Sequence, residues 1–74
     1  MKRPEIRYKF GAKIRKLRKK HGLTQEDLAG RAEVSTKHIQ RLEGKKPSPI
    51  RIDTIEKLAV AFKIPAWKLL RFRD

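Results

Sequence analysis

The chain has no cysteine. A disulfide scaffold is therefore excluded, as is any zinc site that depends on thiolates. Long apolar runs are also missing. None approaches the roughly 18 residues of a membrane span, and no apolar stretch near the N-terminus reads as a signal peptide. The expectation is a soluble cytoplasmic protein. The constellations of catalysis are missing too: there is no nucleophile paired with a base, no glycine-rich phosphate loop and no carboxylate cluster. His21 and His38 stand alone, without ligand partners at metal spacing. The sequence thus points to no enzyme, no cofactor, no metal and no small-molecule substrate. With 74 residues the chain has room for one domain and none for a separate sensor. A domain of this size buries only about 60 % of its unfolded surface, so its core is small.

Acidic residues are scarce as well. Eight Asp and Glu stand against 21 Lys and Arg, for a net charge of +13. Such a balance suggests a polyanionic partner, although a merely solubilising surface gives the same totals. The distribution is more informative. Residues 1–21 carry ten bases against Glu5 alone, and residues 34–52 carry five against Glu43. Between them, residues 22–33 set Arg31 against Glu26, Asp27 and Glu33. An electrostatic tail would be basic throughout and poor in apolar residues. Here the bases are interleaved with periodic apolar residues, so they belong to the faces of a folded domain.

The periodicity predicts five helices and no strand. Phe10, Ile14 and Leu17 share one face of a helix over residues 8–21, closed by Gly22. Residues 1–7 form either a basic arm or an extension of that helix, since Pro4 is tolerated in a first turn. Two further helices, over residues 25–32 and 36–44, share one start signal. Thr24 and Ser35 can act as N-caps, and the pairs Leu23/Leu28 and Val34/Ile39 can staple the entering chain. Residues 44–49, with one glycine and two prolines, read as a loop. A fourth helix over residues 51–62 sets Ile52, Ile55, Ala59 and Phe62 on one face, with Leu58 beside it. Pro65 opens a short fifth helix through Leu70 that carries Trp67 and Leu69. The architecture is a compact bundle of short helices, filling one domain over residues 8–74.

The second and third helices carry the functional pattern. A helix-turn-helix needs a tight turn, small residues where the helices cross and apolar residues facing the core. Over residues 25–44, Leu28, Ala29, Ala32, Ile39 and Leu42 are inward, with Val34 in the turn. Thr36, Lys37, Gln40 and Arg41 are outward, and all can hydrogen-bond. On an isolated helix these would be plain solvated residues.

The order and spacing of several short stretches set this helix pair in a wider pattern. They are Ile14-Arg15-Lys16-Leu17-Arg18, Leu23 to Ala29, Val34-Ser35, Ile39 to Glu43 and Leu69-Leu70. Together they resemble the phage Cro and repressor type of helix-turn-helix, the XRE type, over most of the chain. The resemblance implies an all-α, five-helix, lambda-repressor-like fold and a sequence-specific regulator of transcription, a repressor by preference. It implies a phosphate contact for Gln25 that also supports the recognition helix. It places Ser35, Thr36, Lys37 and Arg41 at base edges or adjacent phosphates, and His38 at a phosphate. Lys45 and Lys46 would follow the DNA backbone. Arg18 and Glu43 match an inward ion pair between the first and third helices, structural rather than catalytic. Glu33 stands where glycine is common, and a positive φ there would cost about 1 kcal/mol.

Trp67, Leu70 and Phe72 are either core or the contact of a homodimer. A dimer would set two recognition helices about 34 Å apart on one face of double-stranded DNA. An antitoxin that represses its own operon would show the same sequence pattern. A basic RNA-associated protein would need exposed aromatics as a stacking platform, yet the aromatics fall mostly at core-phase positions. A bridging module would need an apolar outer face on the third helix, which Lys37, Gln40 and Arg41 do not supply.

Overall fold

The computed structural model describes residues 5–72. Five helices follow in order: α1 (Glu5–Lys20), α2 (Gln25–Ala32), α3 (Thr36–Glu43), α4 (Ile52–Phe62) and α5 (Ala66–Leu69), with no strand among the described residues. No helix among these residues is long and apolar enough to cross a membrane. The first helix starts three residues earlier than the apolar pattern predicts. Residues 5–7 therefore extend it, and the remainder of the expected arm lies outside the described residues. Glu5 in its first turn, and Arg18, Lys19 and Lys20 in its last, complement the helix dipole.

The helices pack as a closed circuit: α1 on α3, α3 on α2, α2 on α4, α4 on α5, and α5 back on α1. Each contributes one side chain with no exposure, namely Ile14, Leu28, Ile39, Leu58 and Leu69. Burying such a side chain contributes about 1.5–3 kcal/mol. An eight-residue helix such as α2 or α3 is not stable alone in water, so this shared centre makes them helical. Glycine has a specific place in the circuit. Gly11 on α1 is buried, and a Cβ there would overlap the Leu42 carbonyl oxygen of α3. The two helices can approach this closely only because the side chain is missing.

On α4 the buried stripe is the expected one except at its first residue, with Ile55 packed against the core beside the buried residues. Leu58, Ala59 and Phe62 are buried, whereas Ile52 is 80 % exposed. At about 100° per residue Ile52 lies within about 20° of the buried Ala59, so its exposure follows from its place as the first residue of α4 and not from its phase. The helix also starts after Arg51, which caps it without a side-chain hydrogen bond. On α5, Leu69 takes the core position, and Trp67 and Leu70 remain exposed.

Three helices end in the same way. Beyond α1 the N–H groups of Gly22 and Leu23 reach back to the carbonyls of Lys19 and Arg18. Beyond α2, Glu33 and Val34 bond to Gly30 and Ala29, and beyond α4, Lys63 and Ile64 bond to Val60 and Ala59. This is the Schellman arrangement, whose pivot residue is left-handed. The φ values are 68° at Gly22, 57° at Glu33 and 59° at Lys63. The positive φ anticipated at Glu33 is present, and Lys63 repeats it. A non-glycine residue loses roughly 1 kcal/mol in this region. Glu33→Gly and Lys63→Gly should each stabilise the fold by up to about 1 kcal/mol, and Gly22→Ala should destabilise it by a similar amount. Denaturant unfolding of the three variants measures this directly.

Candidate nucleic-acid interface

The start of α2 is fixed by a reciprocal cap. The Asp27 N–H donates to Thr24 Oγ1 at 3.0 Å, and the Thr24 N–H donates to Asp27 Oδ2 at 2.9 Å. The Thr24 backbone N–H, and after it the Thr24 side chain, holds the Asp27 carboxyl below its ordinary value. At the start of α3, the His38 N–H donates to Ser35 Oγ at 3.1 Å. Both caps are those anticipated from the sequence. The Ser35 cap closes the short turn from α2 into α3, with Ala29 and Ala32 buried on α2 and Ile39 and Leu42 on α3.

At the far end of α3 a second set of bonds fixes the helix. Arg18 Nε donates to Glu43 Oε2 at 2.8 Å, and another guanidinium nitrogen donates to Oε1 at 2.9 Å. The third donates to the Leu23 carbonyl at 2.8 Å, and Gln25 Nε2 donates to Glu43 Oε1 at 3.1 Å. The side chains of Arg18 and Glu43 are only 11 % and 3 % exposed. The hydrogen bonds to Glu43 hold the Arg18 guanidinium above its ordinary value, so it stays charged. One carboxylate thus ties α1, the α1–α2 turn and the first turn of α2 to the last residue of α3.

Both ends of α3 are therefore held, and its other side is open. Lys37, Gln40 and Arg41 are exposed there, with Thr36 half-buried at the edge. Lys45 and Lys46 are exposed just beyond, in a loop anchored by the buried Pro47. The expected contacts are otherwise placed unevenly. One N–H of the Gln25 amide is committed to Glu43, which leaves the other for an outside acceptor. The Ser35 hydroxyl accepts a capping bond and keeps its own proton to donate. His38 is half-buried with Nε2 enclosed and unpartnered, so that nitrogen does not reach a phosphate in this arrangement. Trp67 and Leu70 lie apart from this face on α5, and Phe72 packs against the core.

One residue of the face was not singled out in the sequence. Arg15 joins Arg18, Thr24, Gln25 and Gln40 around an open cleft of about 480 Å³ between α1, α2 and α3. It lies one turn before Arg18, on the same side of α1. The i, i+3 spacing from the ion-pair residue is the signal that could have found it.

A five-helix fold with two short helices joined by a capped turn, and with the outer face of the second left polar, defines a DNA-binding helix-turn-helix domain. The comparisons agree: the chain belongs to the helix-turn-helix family of the XRE type, whose profile matches residues 14–66, and it is a DNA-binding regulator of transcription. Two solved structures are similar at TM-scores of 0.83 and 0.79. The first is a hypothetical transcription factor, NHTF, from Neisseria, at 28 % identity over 90 % of this chain and 74 % of that one. The second is the restriction-modification controller protein C.AhdI from Aeromonas hydrophila, at 32 % identity over 85 % of this chain and 94 % of that one. The clp gene regulator ClgR from C. glutamicum shares the fold, with a TM-score of 0.79 at 24 % identity over 92 % of this chain and 87 % of that one. No curated protein matches the sequence.

The Arg18–Glu43 pair gives this site its test. Removing one partner of a buried ion pair costs about 3–5 kcal/mol, because the other charge is left unpaired. Glu43→Ala should therefore destabilise the fold by several kcal/mol, while Glu56→Ala, on the exposed side of α4, should change it by less than about 0.5 kcal/mol. Thermal unfolding of the two variants makes the comparison.

Proposed function

We propose that the chain reads a specific duplex sequence with α3 in the major groove and represses transcription by occluding the site. The observation that carries this reading is the outer face of α3: Lys37, Gln40 and Arg41 are exposed, unopposed by any packed element, and mounted on a helix fixed at both ends. Arg41 has the donor geometry for guanine O6 and N7, worth about 1–3 kcal/mol of discrimination. Gln40 can pair with adenine, and Lys37 meets a base edge or a phosphate. Gln25, Ser35, Thr36, Lys45 and Lys46 position the domain on the backbone without reading sequence, and Arg15 joins them. His38 contributes only if its ring turns outward.

The active species is a homodimer. Two large apolar side chains, Trp67 and Leu70, are 59 % and 44 % exposed at the end of α5 and support such a contact. Phe72 packs back beside the core and leaves those two as the exposed pair. The setting is the cytoplasm, at the nucleoid. An RNA-binding reading lacks a stacking platform, since Trp67 is the one aromatic with more than partial exposure among the described residues.

The test is selection from random duplex DNA at about 150 mM salt with excess double-stranded RNA as competitor. The expected product is an inverted repeat with half-site centres about 10 base pairs apart. Binding without an enriched sequence, collapsing as salt rises, would overturn the proposal. On the selected site, Arg41→Ala should relax the preference at one base pair. Lys46→Ala should weaken all duplexes equally and lower the salt slope by about one. An unchanged preference in Arg41→Ala would remove that residue from base reading.

A further inference from the structure

The basic first helix has a second face that DNA reading does not use. Lys9, Lys13, Lys16 and Lys20 recur at i, i+4, i+7 and i+11, which stacks them in one stripe. The side of α1 that meets α3 is marked by Gly11, which lies against the Leu42 carbonyl, and by Arg18, which holds Glu43. At about 100° per residue, the lysine stripe lies roughly half a turn away from that side. A duplex seated on α3 therefore faces away from it.

The four lysines do not stand over a featureless helix surface. They rim a groove of about 500 Å³ whose floor is formed by Leu17 and Phe72. The floor is built by the chain beyond α5: the Lys13 ammonium donates to the Arg71 carbonyl at 3.1 Å and holds Phe72 over α1. No acidic side chain lines the groove among the described residues. Like charges at i, i+3 and i+4 destabilise a helix by a few tenths of a kcal/mol per pair. An anionic occupant would turn this repulsion into attraction.

We propose that this groove, with Lys9, Lys13, Lys16 and Lys20 as its rim and Leu17 and Phe72 as its floor, docks an acidic segment of a second protein that also carries apolar side chains. Charge complementarity sets the sign of the occupant, and the floor sets its kind. A duplex would offer phosphates to the lysines but, with its bases stacked inside, would gain nothing from Leu17 and Phe72. A single strand could stack a base on Phe72 but leaves Leu17 unmatched. A peptide with acidic residues flanking a leucine or phenylalanine meets both. Because the groove faces away from α3, such a partner binds while the domain is on DNA.

The experiment titrates the full chain, free and bound to a duplex, with three fluorescent probes. One is a synthetic peptide of alternating Glu and Leu/Phe. The second has the same acids with serine replacing every apolar residue, and the third is a single-stranded oligonucleotide of equal charge. The amphipathic peptide should bind free and DNA-bound protein alike and at least about tenfold tighter than the other two. Lys9→Gln/Lys16→Gln should weaken it by about tenfold and leave duplex affinity within about threefold. Lys45→Gln/Lys46→Gln, with the same change in charge, should do the reverse. Phe72→Ala should weaken the amphipathic peptide alone. If Phe72→Ala unfolds the domain, the two lysine pairs still decide. Equal binding of both peptides, tighter binding of the oligonucleotide, or displacement of the peptide by duplex DNA would each overturn the proposal.

Discussion

The orientation of α3 depends on one buried carboxylate. Glu43 is the last residue of the helix and accepts from Arg18 and Gln25 at once, while Arg18 also satisfies the Leu23 carbonyl. A buried ion pair is weak evidence for stability, since apolar residues of similar volume often serve as well. Its consequence here is direction. Apolar packing through Ile39 and Leu42 keeps α3 on the core, and the ion pair adds a directional contact at the end of the helix. A bidentate guanidinium accepts only a narrow range of carboxylate positions, so it sets the end of the helix relative to α1. A side chain reading base edges tolerates errors well under 1 Å, which is the scale such a contact controls.

The same economy appears at the helix termini. A domain this small has few apolar contacts per helix, and each unpaired end would weaken it further. The starts of α2 and α3 are closed by Thr24 and Ser35, and α1, α2 and α4 end in Schellman turns. Each turn also directs an apolar residue, Leu23, Val34 or Ile64, back to the core cluster. Two of the three pivots carry a side chain at positive φ. The strain is accepted because each turn satisfies two carbonyls and recovers one apolar contact, together worth more than the roughly 1 kcal/mol lost.

The sequence made much of this legible because its local signals agree with one another. Capping residues, staples and a period of 3.6 delimit α2 and α3 to within a residue, and the spacing of Arg18 and Glu43 anticipates their pairing through the family resemblance. Three features escaped that reading. Ile52 shares a face with Ala59 and Phe62, but it is the first residue of α4 and is 80 % exposed there, and periodicity alone does not tell where along a helix the core ends. Gly11 gives no signal in periodicity, because its role is the approach of a carbonyl 31 residues later. The resemblance places His38 at a phosphate, yet its Nε2 is enclosed; it stands one turn before the buried Leu42, a spacing that sets it at the border of the inward side.

Net charge alone could not separate the two basic surfaces, and direction does. Phosphate contacts release counterions, so only bases that reach the duplex enter the salt dependence of binding. Lys37, Arg41, Lys45 and Lys46 lie on or beside α3 and can enter it, as can Arg15 at the cleft. The stripe from Lys9 to Lys20 stands on the side of α1 turned away from α3. Exposed charges more than a Debye length from the phosphates, about 8 Å at physiological salt, are largely screened, so the lysines of a stripe pointing away from the duplex contribute less to holding DNA than the bases of α3 do. Their concentration around an apolar floor, instead of an even spread over the surface, separates a second recognition surface from general solubility.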